Sequence, residues 1–368
     1  LAAVPSDVDL AIVAVPAEAV PDVVRDAATM GGRGLVVVSA GFADSGPEGR
    51  VRQLALTEQA RANGMRVLGP NCLGMINTDP GHSLNASVSA VMPGRGRIGF
   101  FSQSGAFGQS ILAQCVERGL GLSTFISAGN RADVSGNDLL QYWDEDPATD
   151  VVLLYLESVG NPRKFARITR RLSRSKPVLA VKTGMSTQGV PLGRSGPSSV
   201  VPPIAVDALF RQSGVVRVDT LNEMFDVASL LAYQPLPRGR RVAVVGNSDA
   251  LGLLTADAAA SAGLEVVGRP IDLGTEAGAE EFDPALRELA DADGVDAIVV
   301  VYAPRLESRA PEVASVLASV AAGTTKPMVT TFLGSRGIPP ALRVEDAAGV
   351  LQPGSVPSFP SAEEAVRA

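Results

Sequence analysis

Short apolar runs rich in Val, Ile, Leu and Phe recur along the chain, and each is followed by a stretch in which Ala, Leu and charged residues repeat at helical spacing. Apolar runs of about four to eight residues bounded by turn formers suit strands buried on both faces of a parallel sheet, and segments of period 3.6 between them suit crossover helices. The pattern predicts βαβ units and an α/β fold. The strand candidates are DLAIVAVP, GLVVVSAG, RVLGP, RIGFFSQ, STFISAG, VVLLYLES, PVLAVKTG, RVAVVGN, DAIVVVYAP and PMVTTFLG. Most end in Gly, Ser, Pro or Asn, where a parallel sheet turns into its next helix and outside which ligands bind. Two Pro/Gly-rich stretches, VMPGRGR (Val91 to Arg97) and YQPLPRGRR (Tyr233 to Arg241), interrupt the periodicity and mark boundaries. Three blocks follow, at residues 1–94, 95–234 and 239–368. The first has too few strands for a complete doubly wound sheet, so its opening βαβ unit, the usual seat of a glycine-rich nucleotide loop, is expected upstream of Leu1.

Composition narrows the function classes. A chain of 368 residues, 46% of them hydrophobic, can bury sizeable cores and is long enough for two or three domains. A net charge of -7 without a basic stripe gives no attraction to a phosphate backbone, so nucleic acid is not an expected partner. The two cysteines, Cys72 and Cys115, form no spaced framework, which argues against a disulfide-stapled or zinc-bound domain and for a cytoplasmic setting. No apolar run approaches the roughly 20 residues needed to span a bilayer, and no signal peptide is visible. The chain begins LAAVPSDVD, without a methionine, and reads as a piece of something longer. Its single histidine, His82, stands among turn formers in DPGHSLNASVS and is expected on an exposed loop.

Several segments carry candidate chemistry. FFSQSGAFGQSILAQCVERG reads as strand, tight turn and helix from about Gly105, with Ser102, Gln103 and Ser104 at the mouth. Helix N-terminal amides reinforced by hydroxyls and by the dipole make an anion site, and the plain alternative is a serine that only caps the helix. RVLGPNCLGMINT sets Gly69, Pro70, Asn71, Cys72 and Gly74 directly after a strand. Asn71 and the backbone there can hydrogen-bond a ligand lying across the strand ends. Cys72 has no base close in sequence, so a small buried hydrophobe is the expected reading rather than a nucleophile. Glu157 ends the apolar strand VVLLYLES, either as a turn or capping residue or as a site carboxylate. RVAVVGNSDALG repeats the strand–turn–helix plan with Asn247, Ser248 and Gly252, and GRPIDLG adds Asp272; ordinary turn chemistry accounts for both. Finally, Lys182 to Gly214 (KTGMSTQGVPLGRSGPSSVVPPIAVDALFRQSG) runs as a glycine-rich loop into a helix.

Taken in order, DLAIVAVPAEAV, GLVVVSAGFAD, RVLGPNCLGMINT, GFFSQSGAFG, NRADVSGNDLLQYWDEDPATDVVLLYLES, KPVLAVKTG, DALFRQSGVVRVDTLNEMFDVASLLAYQPLPRGRRVAVVGN and PSAEEAVRA resemble the NDP-forming acyl-CoA synthetases. These are relatives of succinyl-CoA synthetase and include the ADP-forming acetate-CoA ligases. The resemblance covers nearly the whole chain. It implies three consecutive parallel-sheet domains: a truncated Rossmann-like CoA-binding domain followed by two flavodoxin-like ligase domains. It implies CoA or acyl-CoA lined by Val15, Pro16, Ala17, Ser39, Ala40 and Gly41, with Asn71 and Cys72 toward the thiol end. It further implies phosphoryl binding at Ser102, Gln103, Ser104 and Gly105, a carboxylate at Glu157 that orients a phosphohistidine, and polar site positions at Asn247 and Asp272. ATP or ADP with magnesium would act through an ATP-grasp domain or subunit outside this chain, and a homo-oligomer is compatible with the family.

The departures from the family pattern bear on function. In the family a histidine, usually within Ser-His-Thr-Gly, takes the phosphoryl group from acyl phosphate and passes it to a nucleoside diphosphate; neutral imidazole suits this because it attacks phosphorus and its product stays transferable. Alignment on DALFRQSG sets Ser195 at that position, and alignment on Gly189 sets it near Gly196. Neither is a histidine. Met185 replaces a usual Arg, Pro202 and Pro203 replace small residues, and the Asn-Ala-Gly-Gly turn of the third domain has become Asn247-Ser248-Asp249-Ala250. The expected function is therefore a catalytically degenerate, acyl-CoA-sensing portion of a larger protein, as in synthetase-like regions fused to an acetyltransferase domain. The alternative is a working part of an ADP-forming acid–CoA ligase. A nicotinamide-dependent dehydrogenase lacks support, since no strand is followed by Gly-x-Gly-x-x-Gly with an acid about 20 residues on.

Overall fold

The computed structural model describes residues 4, 7–183, 202–304, 309–332 and 335–368. Ser195 and Gly196 lie outside the described residues. The chain is α/β and divides into two compact units, Leu1–Gln114 with Leu122–Thr220, and Cys115–Gly121 with Leu221–Ala368.

The first unit holds two sheets. Strand β1 (Leu10–Val13), helix α1 (Val20–Thr29), β2 (Gly34–Val37), α2 (Gly46–Ala62) and β3 (Arg66–Leu68) form a parallel three-stranded sheet in the order β1-β2-β3. Val13, Leu35, Val37 and Val67 of the strands bury against Val20, Val24 and Ala27 of α1 and Leu56 and Ala60 of α2. At about 25 cal/mol per Å² of apolar surface, such residues contribute roughly 1.5–3 kcal/mol each.

The second sheet is built from a hairpin, β4 (Gly74–Asn77) and β5 (Leu84–Ser87), then β6 (Arg95–Ser102), α3 (Gly105–Glu117), β7 (Leu122–Ser127), α4 (Gly136–Glu145), β8 (Val151–Leu156), α5 (Pro162–Leu172), β9 (Val178–Lys182), α6 (Pro203–Ser213) and β10 (Val215–Val218). Its order is β10-β9-β8-β6-β7-β4-β5. Every residue of β7 and β8 is buried, as sheet strands covered by helices on both faces require. The helices are amphipathic. In α5, Phe165, Ile168, Thr169 and Leu172 face inward at helical spacing, while the Asn161 side chain caps the start by accepting from the N–H groups of Arg163 (3.1 Å) and Lys164 (3.0 Å).

In the second unit, α7 (Leu221–Tyr233) precedes a sheet of β11 (Arg241–Gly246), β12 (Glu265–Val266), β13 (Ile271–Asp272), β14 (Ala297–Tyr302) and β15 (Met328–Phe332), with α8 (Asp249–Ser261), α9 (Ala279–Asp291), α10 (Ala310–Gly323) and α11 (Ala362–Arg367) around it. The order is β12-β11-β14-β15, and β13 pairs with the far end of β11.

Two boundaries differ from those drawn on the sequence. The hairpin β4–β5, expected in block 1–94, pairs antiparallel with β7 and so belongs to the second sheet. The chain changes sheets at the Gly69–Leu73 turn, and the Pro/Gly stretch at Val91 to Arg97 only leads into β6. Helix α7, expected in block 95–234, packs with the second unit, where Leu230 joins a cluster with Val242, Val299 and Val329. No helix among the described residues is long and apolar enough to cross a membrane.

Candidate active site

The five parallel strands of the second sheet run β7-β6-β8-β9-β10, which is the doubly wound order 2-1-3-4-5. Chain connections leave β6 toward opposite edges on either side of it, so a crevice opens at the carboxyl ends of β6 and β8. The residues just past those ends are Gln103 and Glu157.

Gln103 is 3% exposed, and its amide grips the turn after β8. Its Oε1 accepts from the N–H groups of Glu157 (2.7 Å) and Ser158 (2.9 Å), and its Nε2 donates to the Ser158 carbonyl (2.7 Å). The Gln103 N–H itself goes to the Tyr155 carbonyl at 3.2 Å. These bonds tie the Gln103 amide to the turn that carries Glu157. Ser102 is fully buried and its hydroxyl bridges the Ser104 backbone, accepting from N–H at 3.2 Å and donating to the carbonyl at 2.9 Å. It shapes the turn, and Ser104 and Gly105 stand at the mouth of α3. The first turn of α3 carries no acidic residue, so the positive end of its dipole is not neutralised. Phe107 in that turn is 47% exposed and lies against Tyr155, ring centroids 5.5 Å apart.

The first sheet delivers its own strand ends to this unit. Past β1, Val15 is half-buried, Pro16 exposed and Ala17 buried; past β2, Ser39 and Gly41 are half-buried and Ala40 is exposed. The Ser39 hydroxyl donates to the Val15 carbonyl, tying the two turns together. Gly41 takes φ +96°, a region that favours glycine, and Asp44 accepts from its N–H at 3.0 Å. Burial pushes the Asp44 carboxyl up, but bonds from Gly41, Asn130 and Phe42 outweigh it and hold the group below its ordinary value.

The turn after β3 joins the two sheets. The Asn71 N–H donates to the Ser39 carbonyl at 3.0 Å, and Asn71 itself is exposed with φ +55°. Gly129, past β7, lies so close that a Cβ there would stand 2.2 Å from the Asn71 carbonyl oxygen, and its own φ is +50°. A Cβ on Gly105 would stand 3.4 Å from that same oxygen. The Asn71–Cys72 turn therefore sits against the mouth of α3. Cys72 points inward and donates its S–H to the Val37 carbonyl at 3.3 Å, and burial pushes its thiol up to about 12. It is a small core residue, not a thiolate nucleophile. Cys115 is likewise buried.

Sequence reasoning passed over Asn130 and Arg131, which follow the end of β7. The Asn130 side chain donates to Asp44 (2.8 Å) and to Gln53 (3.1 Å), joining the β2 turn to the β7 turn. Arg131, at φ +55°, donates from Nη2 to the Ser158 hydroxyl at 2.9 Å. The signal was present in SAGNRAD, a strand end followed by Gly, Asn and a cation. Asn247 and Asp272 fall elsewhere, in the second unit. Asn247 is 3% exposed and spends its amide on Ala303, donating to the carbonyl (3.0 Å) and accepting from the N–H (2.8 Å). Asp272 is exposed and closes a turn by accepting from the Gly274 N–H at 3.0 Å. His82 sits on the β4–β5 turn, 73% exposed, with Nδ1 3.5 Å from Asp79. Among the described residues no group of three His, Cys, Asp or Glu side chains is arranged to hold a metal.

Comparison with known proteins adds the following. A family model described as a CoA binding domain matches residues 1–78, and one described as a succinyl-CoA ligase like flavodoxin domain matches 95–231. The acetate–CoA ligase [ADP-forming] II subunit alpha of Pyrococcus furiosus is 32% identical over 94% of this chain and 83% of its own length. The chain belongs to the NDP-forming acyl-CoA synthetase family. Another member, acetate–CoA ligase [ADP-forming] I of Archaeoglobus fulgidus, is 34% identical over 99% of this synthetase-family chain, which spans only 54% of that protein's length. Among solved structures, the dinucleotide forming acetyl-coenzyme A synthetase 1 of Ca. Korarchaeum cryptofilum in complex with phosphate and ADP superposes with a TM-score of 0.86 at 27% identity. That superposition covers 100% of this chain and 82% of the other.

Proposed function

We propose that this chain is the CoA-handling part of an ADP-forming acid–CoA ligase, working with an ATP-grasp domain or subunit that supplies nucleotide and magnesium. The observation that carries the reading is the convergence, within one compact unit, of the β1 and β2 turns, the Asn71–Cys72 turn, the mouth of α3 and Glu157. Val15, Pro16, Ala17, Ser39, Ala40 and Gly41 would line CoA, the exposed Pro16 and Ala40 and the bare Gly41 leaving room for it at the strand ends. The thioester end would lie by Asn71. Phosphate would bind at Ser104 and Gly105 on the amides and dipole of α3. The chemistry available there is thioester phosphorolysis: a phosphate oxygen attacks the thioester carbonyl, the carbon–sulfur bond breaks, and CoA leaves as thiolate while acyl phosphate forms. This half-reaction needs no histidine. Blocks 1–94, 95–234 and 239–368 are proposed as its CoA-binding and two ligase domains, with hairpin β4–β5 of the first adding its strands to the sheet of the second and α7 packing with the third.

A second reading, an acyl-CoA sensor that has lost catalysis and acts inside a larger protein such as an acetyltransferase fusion, is favoured by one observation. Ser195 and Gly196 stand where the family has its phosphohistidine, and the chain's single histidine is His82. Calorimetry with CoA and acetyl-CoA, followed by thiol release from acetyl-CoA in phosphate and by radiolabel transfer from ATP with an ATP-grasp partner added, separates the two. Thiol release supports the ligase reading for the first half-reaction. Binding without thiol release or label selects the sensor, and no heat with either ligand at protein concentrations well above micromolar rejects both.

A further inference from the structure

Beside the Glu157 turn lies a small, partly open pocket of about 20 Å³, lined by the polar Gln103, Arg131, Ser135, Asn137 and Ser158 and by apolar residues that include Leu140 and Phe165. Asn137, on the first turn of α4, is 7% exposed, and its side-chain oxygen is buried without a hydrogen-bond partner. A buried amide oxygen left unpaired loses the hydrogen bonds it makes in water, which native proteins rarely tolerate. The cavity exceeds the roughly 10–15 Å³ that one water needs, and several polar groups border it.

We infer that this cavity is a binding site for one structural water, which donates to the Asn137 oxygen and joins the start of α4 to the Ser158 end of the turn that carries Glu157. The ligand must offer a donor to an amide oxygen while standing beside a guanidinium. Water does both, since its own oxygen accepts from Arg131 or Ser158. A phosphate or carboxylate exceeds the space, and a monovalent cation would stand against Arg131. Gln103, whose amide grips Glu157 and Ser158, lines the same pocket, so Asn137 is a positioning residue for that turn. Gly160, at φ +64°, and the Asn161 cap close the turn below it.

The test is a crystal structure of the full chain at a resolution that resolves ordered water, alongside amide exchange at Glu157 and Ser158. The expected result is one water within hydrogen-bonding distance of the Asn137 side-chain oxygen. A dry cavity, or an Asn137 oxygen bonded directly to protein, overturns the proposal. In Asn137→Leu, which fills the cavity with apolar atoms, the site should be dry and exchange at Glu157 and Ser158 should quicken about tenfold; unchanged exchange overturns the positioning role. Should Asn137→Leu not fold, Asn137→Ser serves: it retains a hydroxyl, and the water should persist beside it. None of these readouts depends on CoA binding or turnover, so their failure is distinct from failure of the ligase reading.

Discussion

Gln103 and Asn247 occupy equivalent places in two different sheets. Each follows the first parallel strand of its sheet, β6 in one and β11 in the other, and each spends a buried side-chain amide on the backbone just past a neighbouring strand, β8 or β14. The device is the same, a polar brace across a topological switch point. What it braces differs. Gln103 holds a turn that presents Glu157 beside a helix mouth with no acid in its first turn, whereas Asn247 holds Ala303, and the helix behind it opens with Asp249. An acid there occupies the positive end of the dipole and repels a phosphate. We propose the first switch point for anion chemistry and the second for stability, although both read as strand, turn and helix.

The comparison is broken most sharply at Gln103. Gln103→Leu strips partners from the Glu157 and Ser158 N–H groups and from a carbonyl, and should lower stability by about 2–4 kcal/mol. The fluorescence of Trp143, which is the chain's single tryptophan and lies in the first unit, follows that loss during urea unfolding. The same variant should weaken CoA and phosphate binding at least tenfold. Next comes Asn247→Leu, which should cost about 1–3 kcal/mol by circular dichroism yet leave CoA affinity within twofold. A tenfold loss of CoA affinity there would erase the distinction between the two switch points.

A third test is pH. Bonds from the Arg241 side chain and N–H hold the Asp296 carboxyl at about 2, below the usual carboxylate value of about 3.9. A depressed folded value contributes stability that is fully present above pH 4 or so and is lost as pH falls toward 2. The urea midpoints of wild type and Asp296→Asn should therefore converge between pH 6 and pH 2.5. A difference that stays constant with pH would assign the effect to packing instead. The smallest expected change is at Asp249: Asp249→Asn removes a charge from the first turn of α8 and should cost about 0.3–1 kcal/mol, less in high salt. An unchanged midpoint at low salt would remove the dipole argument that separates α8 from α3.

Much of the site was legible before any coordinates. SQSG after an apolar strand, GPNCLG after another and a lone glutamate at the end of VVLLYLES each pointed to a strand end, and the three converge within one unit. Their roles within it were less legible. Gln103 and Ser102 looked like ligands because amides and hydroxyls at a helix mouth do bind anions, but their partners, Ser158 and the Ser104 backbone, depend on how the chain folds back. Asn130 and Arg131 went unnoticed because a turn of Gly, Asn and Arg is ordinary until the residues it touches are known. The sheet that the hairpin β4–β5 joins was not legible for a related reason: a short half-buried strand does not announce which sheet edge it will pair with.

The sequence by itself determined the α/β class, the strand ends at which chemistry collects and the absence of a histidine at Ser195 and Gly196, because these depend on residue type and local periodicity. Only the tertiary structure decided that the Gln103 amide reaches across to Glu157 and Ser158, that Cys72 is a buried thiol pushed up to about 12, and that Asn137 lines a water-sized pocket beside the Glu157 turn. The physical reason is that hydrogen-bond satisfaction and burial belong to pairs of groups far apart in the chain, and their pairing is settled by strand order, which composition and period do not encode.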